Sequence, residues 1–253
     1  MTLTDQQLDV LFRCVGGGPI DRASLVFFGN ELGTAETGNT ETSVLKFVHD
    51  WTTGPKIRVG EGFVTLGTGA MPVSSVFLRL ASRMALAIKH KDDRFLGTLS
   101  GEGKAFLNAY IAEELYRTDT ACVDLRPLPQ STEECWEYGN VDRKAYQKMF
   151  NFRLKKQAGG KWRDLRVSAL KAAFEAARGA LVLGCGERHN KRAFFETTFP
   201  GTKFEDVRLG DGTEMHVSRS PRIVLSNFYS HRNGVKLSGL RSIYQYLSEE
   251  RLI

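Results

Sequence analysis

Nothing in this chain approaches the roughly 20 consecutive apolar residues of a membrane span, and Met1 to Gln7 lack the basic start and apolar core of a secretory leader. Both absences lead to the expectation of a cytoplasmic protein with no membrane partner. Cysteine is sparse: Cys14, Cys122, Cys135 and Cys185 are scattered through 253 residues without a CxxC pair. That spacing gives no grounds for a zinc site or a disulfide framework, and buried free thiols are the simplest reading. No metal-ligand cluster stands out, so neither metal nor cofactor is expected. Internal repeats and low-complexity linkers are also lacking, and the whole of residues 1–253 reads as a single domain, a monomer, with an insertion around residues 40–100.

What is present is a basic, well-filled chain. Apolar residues make up 42% and charged ones 25%, enough for a substantial core. The net charge of +6 and pI of about 9.2 favour a polyanionic partner. Between Arg143 and Arg166 nine basic residues interleave with Tyr146, Phe150, Phe152 and Trp162. That pattern suits contact with a nucleic-acid backbone, although solvated helix faces produce charge runs too. A second basic group comprises Arg219, Arg222, His231, Arg232, Lys236 and Arg241.

Four short apolar runs predict buried strands: Leu25–Phe28, Ala121–Leu125, Leu181–Leu183 and Ile223–Leu225. Apolar spacing between them predicts helices over Thr4–Cys14, Ser43–Trp51, Val73–Lys89, Gly101–Tyr116, Leu165–Arg178, Arg188–Phe199 and Leu237–Arg251. Ile57, Val59, Val64 and Leu66 suggest a hairpin, and Met215–Ser218 an edge strand. Strands alternating with helices make an α/β fold with a central parallel four-stranded sheet flanked by helices. Each strand then delivers its following loop to one edge, where open α/β sheets bind ligands. The first loop, Gly29-Asn-Glu-Leu-Gly33, places Asn30 and Glu31 there; a carboxylate so placed is suited to activating water. The others bring Asp124, Gly184 with Gly186, and the segment from Asn227 to His231.

The order and spacing of these segments resemble the uracil-DNA glycosylase superfamily over about residues 24–250. Gly29 to Gly33 is similar to its glycine-led first motif, Gly103 to Pro129 to its helix, strand and proline loop, Leu181 to Gly186 to its glycine-ended third strand, and Ile223 to Gly234 to its final strand and loop. The first loop lacks the proline common in the family, and Ser226 to His231 replaces its His-Pro-Ser segment. The resemblance implies base excision from duplex or single-stranded DNA, in repair or phage defence. It gives Glu31 the water-orienting role, Asn30 a supporting one and His231 stabilisation of the departing base. It places Gly186, Ser230, Arg232 and Lys236 against DNA. Phe47 and Tyr229 are candidates to stack on the base.

Asp124 stands where many members carry an asparagine that reads uracil. An ionised aspartate only accepts hydrogen bonds, which suits the exocyclic amine of a cytosine-type base rather than O4 of uracil. A turn-forming aspartate is the alternative. Two other functional readings remain beside a glycosylase: a catalytically silent nucleic-acid binder of the same fold, and an unrelated α/β enzyme using Glu31 and His231 on a nucleotide.

Overall fold

A computed structural model describes residues 2–33, 48–50, 52–53, 56–58, 62–66, 73–130, 136–154, 160–227, 229 and 234–253. Strand β1 (Cys14–Gly17) follows helix α1 (Asp5–Arg13), which Thr4 starts with a reciprocal capping box to Gln7. Then come β2 (Leu25–Gly33), β3 (Lys56–Arg58), β4 (Val64–Leu66), α2 (Val76–His90), α3 (Gly101–Glu113) and β5 (Thr120–Gln130). The chain continues through α4 (Arg143–Met149), α5 (Lys161–Ala176), β6 (Leu181–Cys185), α6 (Arg188–Thr198), β7 (Glu205–Arg208), β8 (Glu214–Arg219), β9 (Arg222–Ser226) and α7 (Leu237–Glu249).

The strands form one nine-stranded sheet in the order β3-β4-β1-β5-β2-β6-β9-β8-β7. Its centre, β5-β2-β6-β9, is parallel throughout. All four apolar runs read from the sequence are strands within it. The sheet is wider than the four strands expected because antiparallel pairs extend both flanks. β1 pairs antiparallel with β5 and carries β4 and β3 beyond it, while β8 pairs antiparallel with β9 and with β7. The expected hairpin exists as β3 and β4. Met215–Ser218 belongs to β8, which lies one strand in from the edge because β7 covers it.

Alternation along each strand splits the core in two. Val26, Phe28, Val123 and Leu125 face one cluster with Leu11, Phe12, Phe150, Leu170 and Phe194 from α1, the α4 end, α5 and α6. Leu25, Phe27, Leu183 and Val224 face the other, with Met84, Ile111 and Leu240 from α2, α3 and α7. The result is a sheet with helices on both faces. No described helix is long and apolar enough to cross a membrane. Of the expected helix Ser43–Trp51, residues 48–50 are helical and the rest lies outside the described residues. Among the described residues Cys14, Cys122 and Cys185 take part in no disulfide, and Cys135 lies outside the described residues.

Two sequence expectations change here. The stretch from Gly29 to Gly33 is not a turn but the end of β2, because β5 keeps pairing alongside it, with Gly29 opposite Asp124 and Glu31 opposite Arg126. For the same reason Asp124 sits in mid-strand rather than in a turn before the prolines.

Candidate functional site

The carboxyl ends of β2, β5, β6 and β9 meet on one edge of the sheet, as their shared direction requires. Gly29 is needed there for close approach: a Cβ at that position would overlap Oδ1 of Asp124, so the carboxylate lies flush against the β2 backbone. Asp124 is 7% exposed, which puts it on the floor of this edge. Asn30, the next residue of β2, is half-buried and accepts a hydrogen bond through Oδ1 from Nζ of Lys191, at 2.5 Å. Gly186, at φ +79°, completes the fit, since a Cβ there would stand 2.8 Å from Asn30 Nδ2.

Lys191 holds this corner together. It lies in the first turn of α6, is fully buried, and donates its other two protons to the carbonyls of Cys185 and Gly186, each at 2.7 Å. Burial lowers its pKa to about 8, against the pull of nearby Cys185, Glu187 and Asp124. The ammonium is therefore still mainly charged at neutral pH, and it lies 5.2 Å from the ring centre of Phe28. A second buried cation braces β5 from the same face of the sheet. Arg166, on α5, donates to the carbonyls of Asp124, Leu125 (3.2 Å) and Cys14 (2.6 Å). Burial lowers its pKa to about 10.

Beside this corner opens a polar cleft of about 460 Å³. Arg126 from β5, the α6 start at Glu187, Arg188 and His189, Asn227 after β9, and Arg153 beyond α4 line it. Arg126 donates to Glu187 at 2.5 Å, and the other carboxylate oxygen of Glu187 accepts from Asn190 at 2.9 Å. Arg188 pairs with Glu214 and reaches Asn227 Oδ1 at 3.4 Å. Among the described residues no group of His, Cys, Asp and Glu is arranged to hold a metal ion. A second, apolar cavity of about 400 Å³ lies at the opposite edge, where β6 and β9 begin.

No family model matches this chain, and neither a curated protein nor a solved structure matches it. The site has to be judged on its own chemistry.

The residues expected from the sequence are distributed as follows. Asn30, Asp124 and Gly186 come together on the carboxyl edge. Glu31 follows Asn30 in β2 with its main chain opposite Arg126, and its side chain lies outside the described atoms. Phe47, Ser230, His231 and Arg232 lie outside the described residues. Lys236 is exposed immediately before α7. Tyr229 is buried at 1% exposure, its ring 6.1 Å from Phe77 in a stacked pair, so here it serves the core and offers no face to a base.

The basic, aromatic stretch also reads differently. Tyr146, Phe150 and Phe152 are buried in the core and Arg166 is 1% exposed; only Lys144, Lys148, Arg153 and Lys161 of its described cations are exposed. Aromatic residues three to four apart on a short helix were facing inward, not toward a ligand. In the second basic group, Arg219 pairs with Glu250 at 2.7 Å, and Arg222 donates to Leu252 O at 2.9 Å, both at the opposite edge of the sheet. Sequence reasoning missed Lys191 and His189. The available signal was their place in the turn after a glycine-ended strand, where a helix begins at the ligand edge.

Proposed function

We propose that the protein excises a base from DNA by hydrolysing its N-glycosidic bond, as members of the uracil-DNA glycosylase superfamily do, and that a cytosine-type base is its target. The observation that carries the reading is the carboxyl-edge corner, where the Asp124 carboxylate, Gly29 and the Lys191-bound Asn30 adjoin. The central parallel strands and the helices on both faces agree with the fold expected of that superfamily. A base inside a duplex is out of reach, so the nucleotide is flipped outward into the site.

In this reading Glu31 orients a water toward C1′ of the sugar. The glycosidic C–N bond breaks as the water oxygen bonds C1′, the water proton passes to the carboxylate, and the base leaves with the bonding pair. The negative charge of Glu31 also offsets positive charge growing on the sugar. His231 is assigned to the departing base. Asn30, fixed by Lys191, keeps the β2 end in place, and the Lys191 ammonium adds positive potential behind it. Asp124 accepts from the exocyclic amine, which an ionised carboxylate can do and which O4 of uracil cannot reciprocate. Lys144, Lys148, Arg153, Lys161 and Lys236, exposed cations of the two basic groups, supply the salt-sensitive attraction to phosphates.

The test is excision by the wild type and Asp124→Asn on matched duplexes carrying uracil, cytosine and 5-substituted cytosines. The expected result is wild-type preference for the amine-bearing bases, and a shift toward uracil in the variant of roughly five- to 150-fold, the worth of about 1–3 kcal/mol for a good base contact. An unchanged ranking removes Asp124 from base reading. Salt-dependent DNA binding without base release on any substrate indicates a silent binder of the same fold.

A further inference from the structure

A hydrogen-bonded chain that base excision leaves unused ends at the polar cleft, in His189. Asp206 on β7 and His216 on β8 are directly opposite each other in the antiparallel pair, and Oδ1 of Asp206 is 2.6 Å from Nδ1 of His216. Nε2 of His216 is in turn 2.9 Å from Nδ1 of His189, an exposed residue in the first turn of α6 that lines the cleft. A strand pair and a helix thus fix three side chains in one line.

The line has a direction. Asp206, its carboxyl held below its usual range by the bond to His216 and by Arg192 at 2.8 Å, is ionised and only accepts. Nδ1 of His216 must therefore carry the proton. His216 is 4% exposed, and burial lowers its pKa against the opposing pull of Asp206, with His189 and Arg192 adding to the lowering. In neutral His216, Nε2 is bare and accepts from Nδ1–H of His189. In the neutral form of His189 that leaves Nε2 with the lone pair, a tautomer set by a neighbour in the way metal and catalytic histidines are set.

The surroundings name the ligand. Arg126, Arg153 and Arg188 bring three planar guanidinium groups to the cleft: Arg153 is exposed, Arg126 is paired with Glu187 and Arg188 with Glu214, and Glu187 is engaged at both oxygens. Forked guanidinium donors match the oxygens of phosphate. We propose that this cleft is a phosphate-binding site with its own proton acceptor, Nε2 of His189, directed at a hydroxyl or water held beside the phosphate. The proposal rests on the nucleic-acid reading above only for the source of the phosphate, a polynucleotide rather than a free phosphate compound. Asp206 and His216 are positioning residues; His189 is the group that meets the ligand.

The test is nitrogen NMR of the histidine rings in the full-length protein, with inorganic phosphate and a short single-stranded oligonucleotide as probes. In the wild type His189 should show the Nδ1–H form with a bare Nε2. Asp206→Ala, a change at a mainly exposed side chain, should release that preference into a tautomer mixture. Both probes should move the His189 resonances, and Arg153→Ala should weaken the oligonucleotide roughly tenfold, the scale of one charged hydrogen bond, and lower its salt slope by about one. Movement by inorganic phosphate alone supports the phosphate site and assigns it to a small ligand. An Nε2–H form in the wild type, or no response to either probe, overturns the proposal. If DNA is still bound and a base still released with His189→Ala and Arg153→Ala unaffected, the cleft proposal falls and base excision stands. If His189 responds but no base is ever released, the reverse holds.

Discussion

The carboxyl edge of the sheet holds two sets of basic residues that sequence alone would pool. Lys191 and Arg166 are buried and donate their hydrogen bonds to protein oxygens: a side-chain amide and two carbonyls for the first, backbone carbonyls for the second. Arg153 and His189 are exposed and line the polar cleft beside Arg126 and Arg188, whose side chains are 14% exposed and paired with Glu187 and Glu214. The buried set builds the site by holding strand ends where carbonyls would otherwise lack donors. The exposed pair, Arg153 and His189, is placed to meet a ligand. Burial, not charge, decides which of these jobs a basic residue does.

The comparison breaks most visibly at Arg166. Replacing it with Met keeps apolar volume but strips donors from the carbonyls of Asp124, Leu125 and Cys14. The expected loss is about 3–5 kcal/mol in denaturant unfolding, the cost of orphaning several buried acceptors. A loss below about 1 kcal/mol would mean that the carbonyls find other partners. Lys191→Met should come next, at about 2–4 kcal/mol, because it removes three bonds but also the cost of burying a charge. Its ammonium should titrate near pH 8, as followed by carbon NMR of the lysine side chain; an ordinary value near 10.5 would remove it from the buried class.

At the open cleft the effects on stability should be smaller and pH-dependent. The folded pKa of His216 lies below its unfolded value of about 6.5, so on acidification the unfolded chain takes up this proton first. Stability contributed by neutral His216 is present above about pH 6.5 and is lost as pH falls through the folded value. His216→Phe should flatten that part of the acid limb, read as thermal midpoint against pH. An unchanged slope would show that His216 titrates no differently when folded.

The four central strands were legible because a run of apolar residues buried on both faces leaves a plain trace, as in Leu25–Phe28 and Leu181–Leu183. The helix starts at Asp5 and Gly101 were legible too, capped by Thr4 and Ser100, whereas α2 begins at Val76 rather than Val73 because Ser75 caps it. The flanking strands were not. Cys14–Gly17 looks like a helix end and a glycine break, and Glu205–Arg208 has Val207 as its one apolar and one part-buried residue; each is a strand only because a neighbour pairs with it. At the site, Asn30 and Asp124 were found through their position after apolar runs. Lys191 and the Asp206–His216–His189 line were hidden, since their partners are 161, 10 and 27 residues away and no local pattern records such pairings. Tyr229 misled for the converse reason: a polar neighbourhood in sequence does not stop a tyrosine ring from packing inward against Phe77.

Release of a free base is the measurement that bears most directly on the proposed function. Wild type and Glu31→Gln should be compared on duplex and single-stranded DNA carrying cytosine and its 5-substituted forms, with abasic sites counted. The account predicts base release by the wild type, reduced by roughly two to four orders of magnitude in Glu31→Gln, the usual scale for a positioned acid–base group, with DNA affinity retained. No abasic sites on any substrate, or full activity in Glu31→Gln, would contradict it.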